Sequence, residues 1–191
     1  MNDWEHLAFP PAARAILLDT RAAGFVNASD QLTGALLRSL AAAKPGGRLL
    51  ELGTGTGYGT AWLLDGMDRA ARLVTVEVNS ASVAIARRHL GHDPRVEFIE
   101  DDAARLFTDS SRRWDLIYAD CPFGKHHDVE TVLDALAPGG IWVADDMLPH
   151  TYTPEREPMQ RALPEVLSRR PDLHVTKLSW STGILLATKR A

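Results

Sequence analysis

Hydrophobic and polar positions along the chain predict strands and helices in alternation. Short apolar runs predict five strands, at residues 48–52, 73–78, 96–99, 115–119 and 141–144. Helical periodicity lies between most of these runs, and an apolar stripe over residues 30–43 predicts an earlier helix that ends before Pro45. Strands that alternate with helices favour a doubly wound, Rossmann-like α/β fold in which most strands are parallel.

The pattern changes near the end of the chain. A helix at about 155–169 is followed by two apolar runs, 174–178 and 184–188, which a turn at 181–183 separates. Two short strands joined by a turn that contains glycine are typical of an antiparallel hairpin. We therefore expect a seven-stranded, mostly parallel sheet that this terminal hairpin completes.

Length and composition indicate one compact domain. The chain has 191 residues, 45% of them hydrophobic, and no long polar or repetitive segment that would mark a linker. A chain of this size can bury a full core. We expect a single domain over residues 1–191, with an N-terminal helical segment at about 1–45 and the core sheet at about 48–191.

Charge and cysteine content exclude several classes of partner. The net charge is −4 and the basic residues are dispersed, so we expect no nucleic-acid partner. The N-terminus has no signal region, and no run reaches the ~18 apolar residues of a membrane helix. The single cysteine, Cys121, excludes an intrachain disulfide and is compatible with a reducing compartment. We expect a cytoplasmic protein that acts on a small molecule.

A glycine-rich turn follows the first predicted strand. Residues 49–59 read Leu-Leu-Glu-Leu-Gly-Thr-Gly-Thr-Gly-Tyr-Gly, and glycines in such a turn let a ligand approach the backbone closely. A dinucleotide-binding turn needs a small residue where this chain has Tyr58, and a P-loop needs a lysine that this turn lacks. The sequence therefore predicts a site for another nucleotide-like ligand, with a purely structural turn as the alternative.

Acidic residues follow the next two predicted strands. Glu77 lies at the carboxyl end of the second strand, where its carboxylate can accept hydrogen bonds from both hydroxyls of a ribose. A strand-end glutamate that is only solvated is the alternative. Asp101 and Asp102 follow the third strand, at the same edge of the predicted sheet.

A second acidic group follows the fourth and fifth predicted strands. Asp120 comes directly after the run at 115–119, and Asp145 and Asp146 come directly after the run at 141–144. If these strands are neighbours, about 4.8 Å apart, the three carboxylates can converge on one point. Because uncompensated carboxylates repel one another, we expect a cation between them, most naturally a hard divalent ion.

The glycine turn and the Glu51 that precedes it resemble motif I of the class I S-adenosylmethionine (SAM)-dependent methyltransferases, an acidic residue followed by x-G-x-G-x-G. A five-stranded parallel core closed by a terminal hairpin is similar to the sheet of that family, so the resemblance spans nearly the whole chain. The resemblance implies SAM as cofactor, with its adenine amino group at Asp102 or, if the register differs by one, at Asp101. The cofactor-binding residues that it implies are Glu51, Gly53, Thr54, Gly55, Gly57, Tyr58, Glu77, Val78, Asp102, Ala103 and Asp120.

The second acidic group resembles the metal site of one branch of that family, the catechol O-methyltransferase-like enzymes. Those enzymes bind Mg²⁺ or a similar ion through an Asp after strand four and an Asp-Asn pair after strand five. The corresponding residues here are Asp120, Asp145 and Asp146, the last of which replaces the Asn and adds a negative charge. The resemblance implies methyl transfer to a hydroxyl oxygen with help from Mg²⁺ or Mn²⁺, because chelation lowers the pKa of the hydroxyl and fixes the acceptor.

The catalytic residues depart from the pattern of that branch. Its lysine base lies three residues after the first metal-binding Asp, and this chain has Phe123 there. Lys125 is the nearest substitute, and with Asp120 it forms the predicted catalytic pair. An exposed lysine with no catalytic role is the alternative.

The acceptor is predicted only as a class. A flat aromatic molecule would suit the aromatic and apolar residues of the surrounding loops, namely Phe123, Met147, His150, Tyr152 and Trp180. Residues 148–158 form either a lid or a plain connector. Relatives often pair through N-terminal helices, so a homodimer stays an open expectation.

Two other functions stay open. The segment from Asp120 to Phe123, Asp-Cys-Pro-Phe, resembles the [DNS]-P-P-[YF] motif of amino-group methyltransferases, which need no metal. The aromatic ring of that motif stacks on the substrate. A SAM-binding protein without catalysis would need only the glycine turn and Glu77.

Overall fold

A computed structural model describes residues 2–26, 28–149, 154–155 and 157–191. Its strands are β1 (Arg48–Leu52), β2 (Arg72–Glu77), β3 (Val96–Glu100), β4 (Trp114–Ala119), β5 (Leu136–Ala144), β6 (Leu173–Leu178) and β7 (Ile184–Lys189). Within the described ranges these strands form one sheet in the order β3-β2-β1-β4-β5-β7-β6. β1 to β5 run parallel, and β7 is antiparallel to both β5 and β6. The predicted mostly parallel sheet with a terminal hairpin is confirmed.

Helices connect the parallel strands and precede the first of them. They are α1 (Ala13–Ala22), α2 (Gln31–Ala42), α3 (Tyr58–Gly66), α4 (Ser80–Leu90), α5 (Val129–Asp134) and α6 (Glu157–Ser168), with a 3₁₀ helix at Ala103–Phe107. Side chains cap two of the predicted helices: Asp30 accepts hydrogen bonds from the N–H groups of α2, and Asn79 accepts one from α4. Such caps satisfy N–H groups that have no partner within the helix.

The hydrophobic core lies on both faces of the sheet. Leu50 and Leu52 of β1 belong to one cluster, which includes Trp142 of β5. Leu49 belongs to a second cluster on the opposite face, which includes Trp62 of α3. A strand covered on both faces carries apolar residues at successive positions, and this explains the continuous apolar run that predicted β1.

The strand boundaries lie within one residue of the prediction, except at the start of β5. β5 begins at Leu136, five residues before the predicted start, because a bulge around Gly139 lets the segment before Ile141 rejoin β4. β2 ends at Glu77, so Val78 lies beyond the strand and is 70% exposed. Among the helices of the described ranges, none combines the length and the apolar character that crossing a membrane requires.

Candidate functional site

The glycine turn is held between the carboxyl ends of β2 and β4. The N–H groups of Gly53 and Thr54 both donate to the carbonyl oxygen of Val76, at 3.0 and 3.1 Å. Gly53 has φ +97°, and a Cβ atom at this position would lie 2.9 Å from the carbonyl oxygen of Asp120. Only glycine fits this backbone and this space, so the turn exposes bare backbone at the sheet edge.

The carboxylate of Glu77 is fixed against this turn. One of its oxygens accepts from the N–H of Gly55 at 3.0 Å, and the other accepts from the N–H of Asn79 at 2.9 Å. A cleft opens in front of the turn and of Glu77. It is lined by Phe25, Ala28, Ser29, Gly53, Thr54, Gly55, Thr56, Tyr58, Gly59, Glu77, Asp120, Cys121 and Pro122.

Glu51 and Gly57 do not line the cleft, although both belong to the sequence motif. Glu51 is buried beneath the turn, where one oxygen accepts from the hydroxyls of Thr60 at 2.5 Å and Thr75 at 2.6 Å. Burial raises the pKa of Glu51 to about 8. Gly57, at φ +93°, packs against Ala86 of α4. Both residues therefore support the turn from behind its binding surface.

Three further residues predicted to bind the cofactor lie outside the cleft wall. Asp102 uses its side chain to cap the 3₁₀ helix, accepting from the N–H of Ala104 at 2.9 Å. Ala103 is buried in the core, and Val78 is exposed to solvent. Their role as cofactor ligands stays a prediction.

The second acidic group is brought together as the sequence predicts. Because β4 and β5 are neighbours in the sheet, Asp120 and the Asp145-Asp146 pair meet at one edge. Lys125 lies between them, with its Nζ 3.3 Å from Oδ1 of Asp120 and 3.3 Å from Oδ2 of Asp146. Burial raises the pKa of Asp120, and Lys125 opposes that rise. The lysine is thus part of a buried ionic cluster and not an exposed loop residue.

Three hydrogen-bond donors meet the carboxylate of Asp145. Its Oδ2 accepts from the Tyr118 hydroxyl at 3.1 Å, and its Oδ1 accepts from the Thr182 hydroxyl at 2.6 Å and from the N–H of Asp146 at 2.8 Å. Burial raises its pKa above the usual aspartate range. Hydrogen bonds from two hydroxyls and one backbone N–H offset the cost of burying this carboxyl.

The predicted metal site is not assembled in this arrangement. No group of three or more His, Cys, Asp or Glu residues among the described residues is placed to hold a metal ion. Asp120, Asp145 and Asp146 all have protein partners, since hydroxyl and backbone donors bond Asp145 and the Lys125 ammonium bonds the other two. Lys125 places a positive charge among carboxylates whose repulsion predicts a cation, and the divalent ion stays a prediction.

Other predicted site residues have structural partners. Phe123 is buried, and its ring packs on Phe107 and His127 at centroid distances of 5.3 and 5.7 Å, away from the cleft. Cys121 lines the cleft, and burial raises its thiol pKa to about 12, so it stays protonated. Trp180 donates from Nε1 to the carbonyl oxygen of Leu32 at 2.8 Å.

Part of the predicted acceptor site lies beyond what the structure describes. His150 and Tyr152 fall outside the described residues, as does most of the stretch between them and Glu157. Met147 is described, and its N–H donates to the carbonyl oxygen of Gly183 at 3.0 Å. The aromatic character of the acceptor therefore stays a prediction.

The structure adds hydroxyl groups that the sequence did not indicate. Ser29 donates to Oδ2 of Asp120 at 3.1 Å, and its oxygen lies 3.0 Å from the Tyr118 hydroxyl. Thr182 reaches Asp145 from the turn of the β6–β7 hairpin, and Ser181 of the same turn donates to Asp30. No local pattern marks these residues, because each partner lies far away along the chain.

Comparison with known families finds a match over the part of the chain that carries the site. A family model described as "Methyltransferase domain" matches residues 50–147. A relative from Mycolicibacterium vanbaalenii, which carries the provisional name O-methyltransferase, is 32% identical over 142 residues, which are 71% of this chain and 61% of that protein. The chain thus aligns with less than two thirds of the length of this curated relative.

Solved structures share the fold. The cofactor-bound Rv0187 from MTB has a TM-score of 0.82 and 26% identity, with 98% of this chain and 94% of that one covered. The SAH-bound methyltransferase PaMTH1 of Podospora anserina has a TM-score of 0.78 and 25% identity, over 96% of this chain and 89% of that one. The O-methyltransferase from Bacillus cereus in complex with SAH has a TM-score of 0.84 and 22% identity, over 97% and 94% of the two chains.

Proposed function

Since this chain belongs to the family of class I SAM-dependent methyltransferases, we propose that it transfers the methyl group of SAM to an oxygen atom of a small acceptor. One observation carries this proposal: the cleft formed by the glycine turn and Glu77 ends at Asp120, and Asp120 also belongs to the buried ionic cluster. A binding surface for a nucleoside thus adjoins a group of charged residues suited to chemistry.

One relative supports SAM as the methyl donor, and another supports oxygen as the atom that accepts the methyl group. The Podospora structure holds SAH, which supports SAM as the methyl donor. The name of the Mycolicibacterium relative supports oxygen as the atom that accepts the methyl group. In this chain Glu77 would bind the ribose hydroxyls, and the bare backbone from Gly53 to Gly55 would allow the nucleoside to approach closely.

Methyl transfer from SAM requires the protein to align the reacting atoms and to stabilise the charge on the attacking oxygen. The sulfonium of SAM becomes a neutral thioether when the methyl group leaves, so the leaving group needs no acid. The protein must hold the attacking oxygen in line with the methyl group and favour its anionic form. Asp120 lines the cleft, and the Lys125 ammonium, 3.3 Å from Asp120, is the positive charge of the cluster that favours an anionic oxygen.

The amine-transfer alternative loses part of its support. It requires an aromatic ring that stacks on the substrate, and Phe123 is instead packed into the core against Phe107. Asp120 and Pro122 do line the cleft, so amines belong among the acceptors to be tested.

The proposal is tested first by calorimetric titration of the protein with SAM and SAH. We expect both to bind, and we expect Glu77→Gln to weaken binding about tenfold because a neutral amide is a poorer partner for ribose hydroxyls. Glu97→Gln, which changes an exposed glutamate of β3, is the matched control. Absence of SAM binding by the unmodified protein would refute the proposal.

Transfer of labelled methyl groups then identifies the acceptor class. Suitable panels are catechols, simple phenols, flavonoids and caffeoyl esters, with amines in parallel. Methylation of oxygen supports the proposal, whereas methylation of amines alone would favour the Asp-Cys-Pro-Phe alternative. Tight SAM binding with no transfer to any acceptor would instead indicate a SAM-binding protein without catalysis.

A further inference from the structure

Lys125 lies between two of the three carboxylates that the sequence predicts as metal ligands. Its ammonium contacts Asp120 and Asp146 at 3.3 Å each, and only 5% of its side chain is exposed. The side chains of the two carboxylates differ in exposure, at 13% for Asp120 and 43% for Asp146. The cluster is therefore more exposed on the side of Asp146 than on the side of Asp120.

The loop that carries Lys125 is tightly built. Gly124 donates from its N–H to the carbonyl oxygen of His127 at 2.8 Å, and its own carbonyl accepts from Nε1 of the buried Trp142 at 3.1 Å. Gly124 has φ +77°, and a Cβ atom there would lie 2.9 Å from side-chain atoms of Leu52 and Val132. The backbone on which Lys125 is mounted is thus fixed by the core, so its side chain enters the cluster from a defined point.

An ammonium group has three N–H donors, and the contacts with Asp120 and Asp146 use two of them. The third can meet an oxygen that enters from the more exposed side of the cluster. A buried ammonium can stabilise an oxygen that accepts from its third N–H, because the surrounding medium screens its charge less than water does; Asp120 and Asp146 offset part of that charge.

We propose that the ammonium of Lys125 supplies in this protein the positive charge that a divalent ion supplies in catechol O-methyltransferase-like enzymes, so that the acceptor binds as an oxyanion next to the methyl donor. This inference presupposes the methyl transfer proposed above. The acceptor hydroxyl loses its proton to solvent as it binds beside the ammonium. The oxyanion then forms the new O–CH₃ bond while the S–CH₃ bond of SAM breaks, which leaves a methyl ether and a neutral thioether.

The same geometry specifies the class of acceptor. A divalent ion can chelate two vicinal oxygens, whereas one remaining N–H of Lys125 can bind one oxygen. We therefore infer that the acceptor carries a single acidic hydroxyl, such as a phenol or an enol, and that a second, vicinal hydroxyl gives it no advantage.

Titration with Mn²⁺ tests the placement of the cation without any acceptor. The unmodified protein should bind no stoichiometric Mn²⁺, as measured by the electron paramagnetic resonance signal of the free ion. Lys125→Met removes the charge at similar length and should gain at least about tenfold in Mn²⁺ affinity, because the carboxylates lose their internal cation. Lys177→Met, in which an exposed lysine of β6 is changed, should behave as the unmodified protein. Stoichiometric Mn²⁺ binding by the unmodified protein would overturn the proposal.

Turnover gives the second readout. Methyl transfer by the unmodified protein should be unchanged by EDTA, and Lys125→Met should lower kcat by about 100-fold or more with SAM affinity unchanged. A Lys125→Met variant that keeps its turnover, or a catechol that is methylated far faster than the matched phenol, would contradict the proposal. If Lys125→Met does not fold, Lys125→Arg serves instead, because it keeps the positive charge. The Arg variant should retain its turnover and remain unaffected by EDTA. Inhibition of the Arg variant by EDTA would contradict the proposal.

Failure of this inference can be distinguished from failure of the proposed function. If SAM binds and no acceptor is methylated, the proposed transfer is wrong, and the Mn²⁺ titration still decides whether Lys125 occupies a cation site. If transfer occurs but requires a divalent ion, the proposed function holds and the inference about Lys125 is wrong.

Discussion

Replacing Glu51 with glutamine should make the stability of the protein less dependent on pH. Glu51 is 1% exposed, and its burial raises its pKa from 4.5 to about 8. Between these two values the folded protein holds a proton on Glu51 that the unfolded chain has released. Rising pH therefore favours unfolding in this interval, and the contribution of Glu51 to stability is lost as the pH rises towards the higher pKa.

The magnitude follows from the size of the pKa shift. One pKa unit corresponds to about 1.4 kcal/mol, so Glu51 lowers the free energy of unfolding by about 1.4 kcal/mol for each pH unit within the interval. Over the whole interval the loss is on the order of 5 kcal/mol, a large part of the stability of an ordinary domain. Glutamine keeps an oxygen that can accept from Thr60 and Thr75, and it carries no charge to bury.

Urea unfolding measured between about pH 5 and pH 9 checks this prediction. The difference in unfolding free energy between Glu51→Gln and the unmodified protein should grow steadily up to about pH 8 and then level off. All other titrating groups are shared, so their contributions cancel in the difference. Glu97→Gln, on the surface of β3, serves as the control. Parallel stability curves for Glu51→Gln and the unmodified protein would refute the reasoning.

Three further substitutions test other parts of the site. Gly57→Ala should destabilise the fold by about 1–3 kcal/mol, measured by urea unfolding, because a Cβ atom at φ +93° would lie 2.9 Å from Cβ of Ala86. Thr182→Val should remove a 2.6 Å hydrogen bond to Asp145; we expect about 1 kcal/mol lower stability and slower methyl transfer, with SAM affinity unchanged by calorimetry. Asp30→Ala should lower the free energy of unfolding by about 1–2 kcal/mol, because it removes the cap of α2 and the acceptor of the Ser181 hydroxyl. The midpoint of thermal unfolding should fall accordingly, and an unchanged midpoint would contradict this prediction.

The sequence predicted those features that depend on local pattern. The strand at Arg48–Leu52 lies where its apolar run predicts it, and the glycine turn after it lies against Glu77 at the carboxyl edge of the sheet. The meeting of Asp120 with Asp145 could also be predicted, because carboxyl ends of adjacent parallel strands share one edge of a sheet.

The remaining contacts could not be predicted, because they join residues that are distant in the chain or lie on irregular loops. Ser29 and Asp120 are 91 positions apart, and Thr182 and Asp145 are 37 apart. Lys125 lies only five positions after Asp120, but its entry into the cluster depends on the turn around Gly124. Glu51 was assigned to the cofactor from its place in a motif, and no pattern reveals that its side chain points beneath the turn.

The β6–β7 hairpin makes completion of the ionic cluster a late event during synthesis of the protein. Its turn provides Thr182 for Asp145 and Ser181 for Asp30, so residues near both ends of the chain are joined there. Because domains fold as units, the nascent chain can complete the cluster only after this hairpin has been synthesised. A chain that stops ahead of Thr182 lacks the hydroxyl that bonds Asp145, so the cluster cannot reach its final arrangement in it.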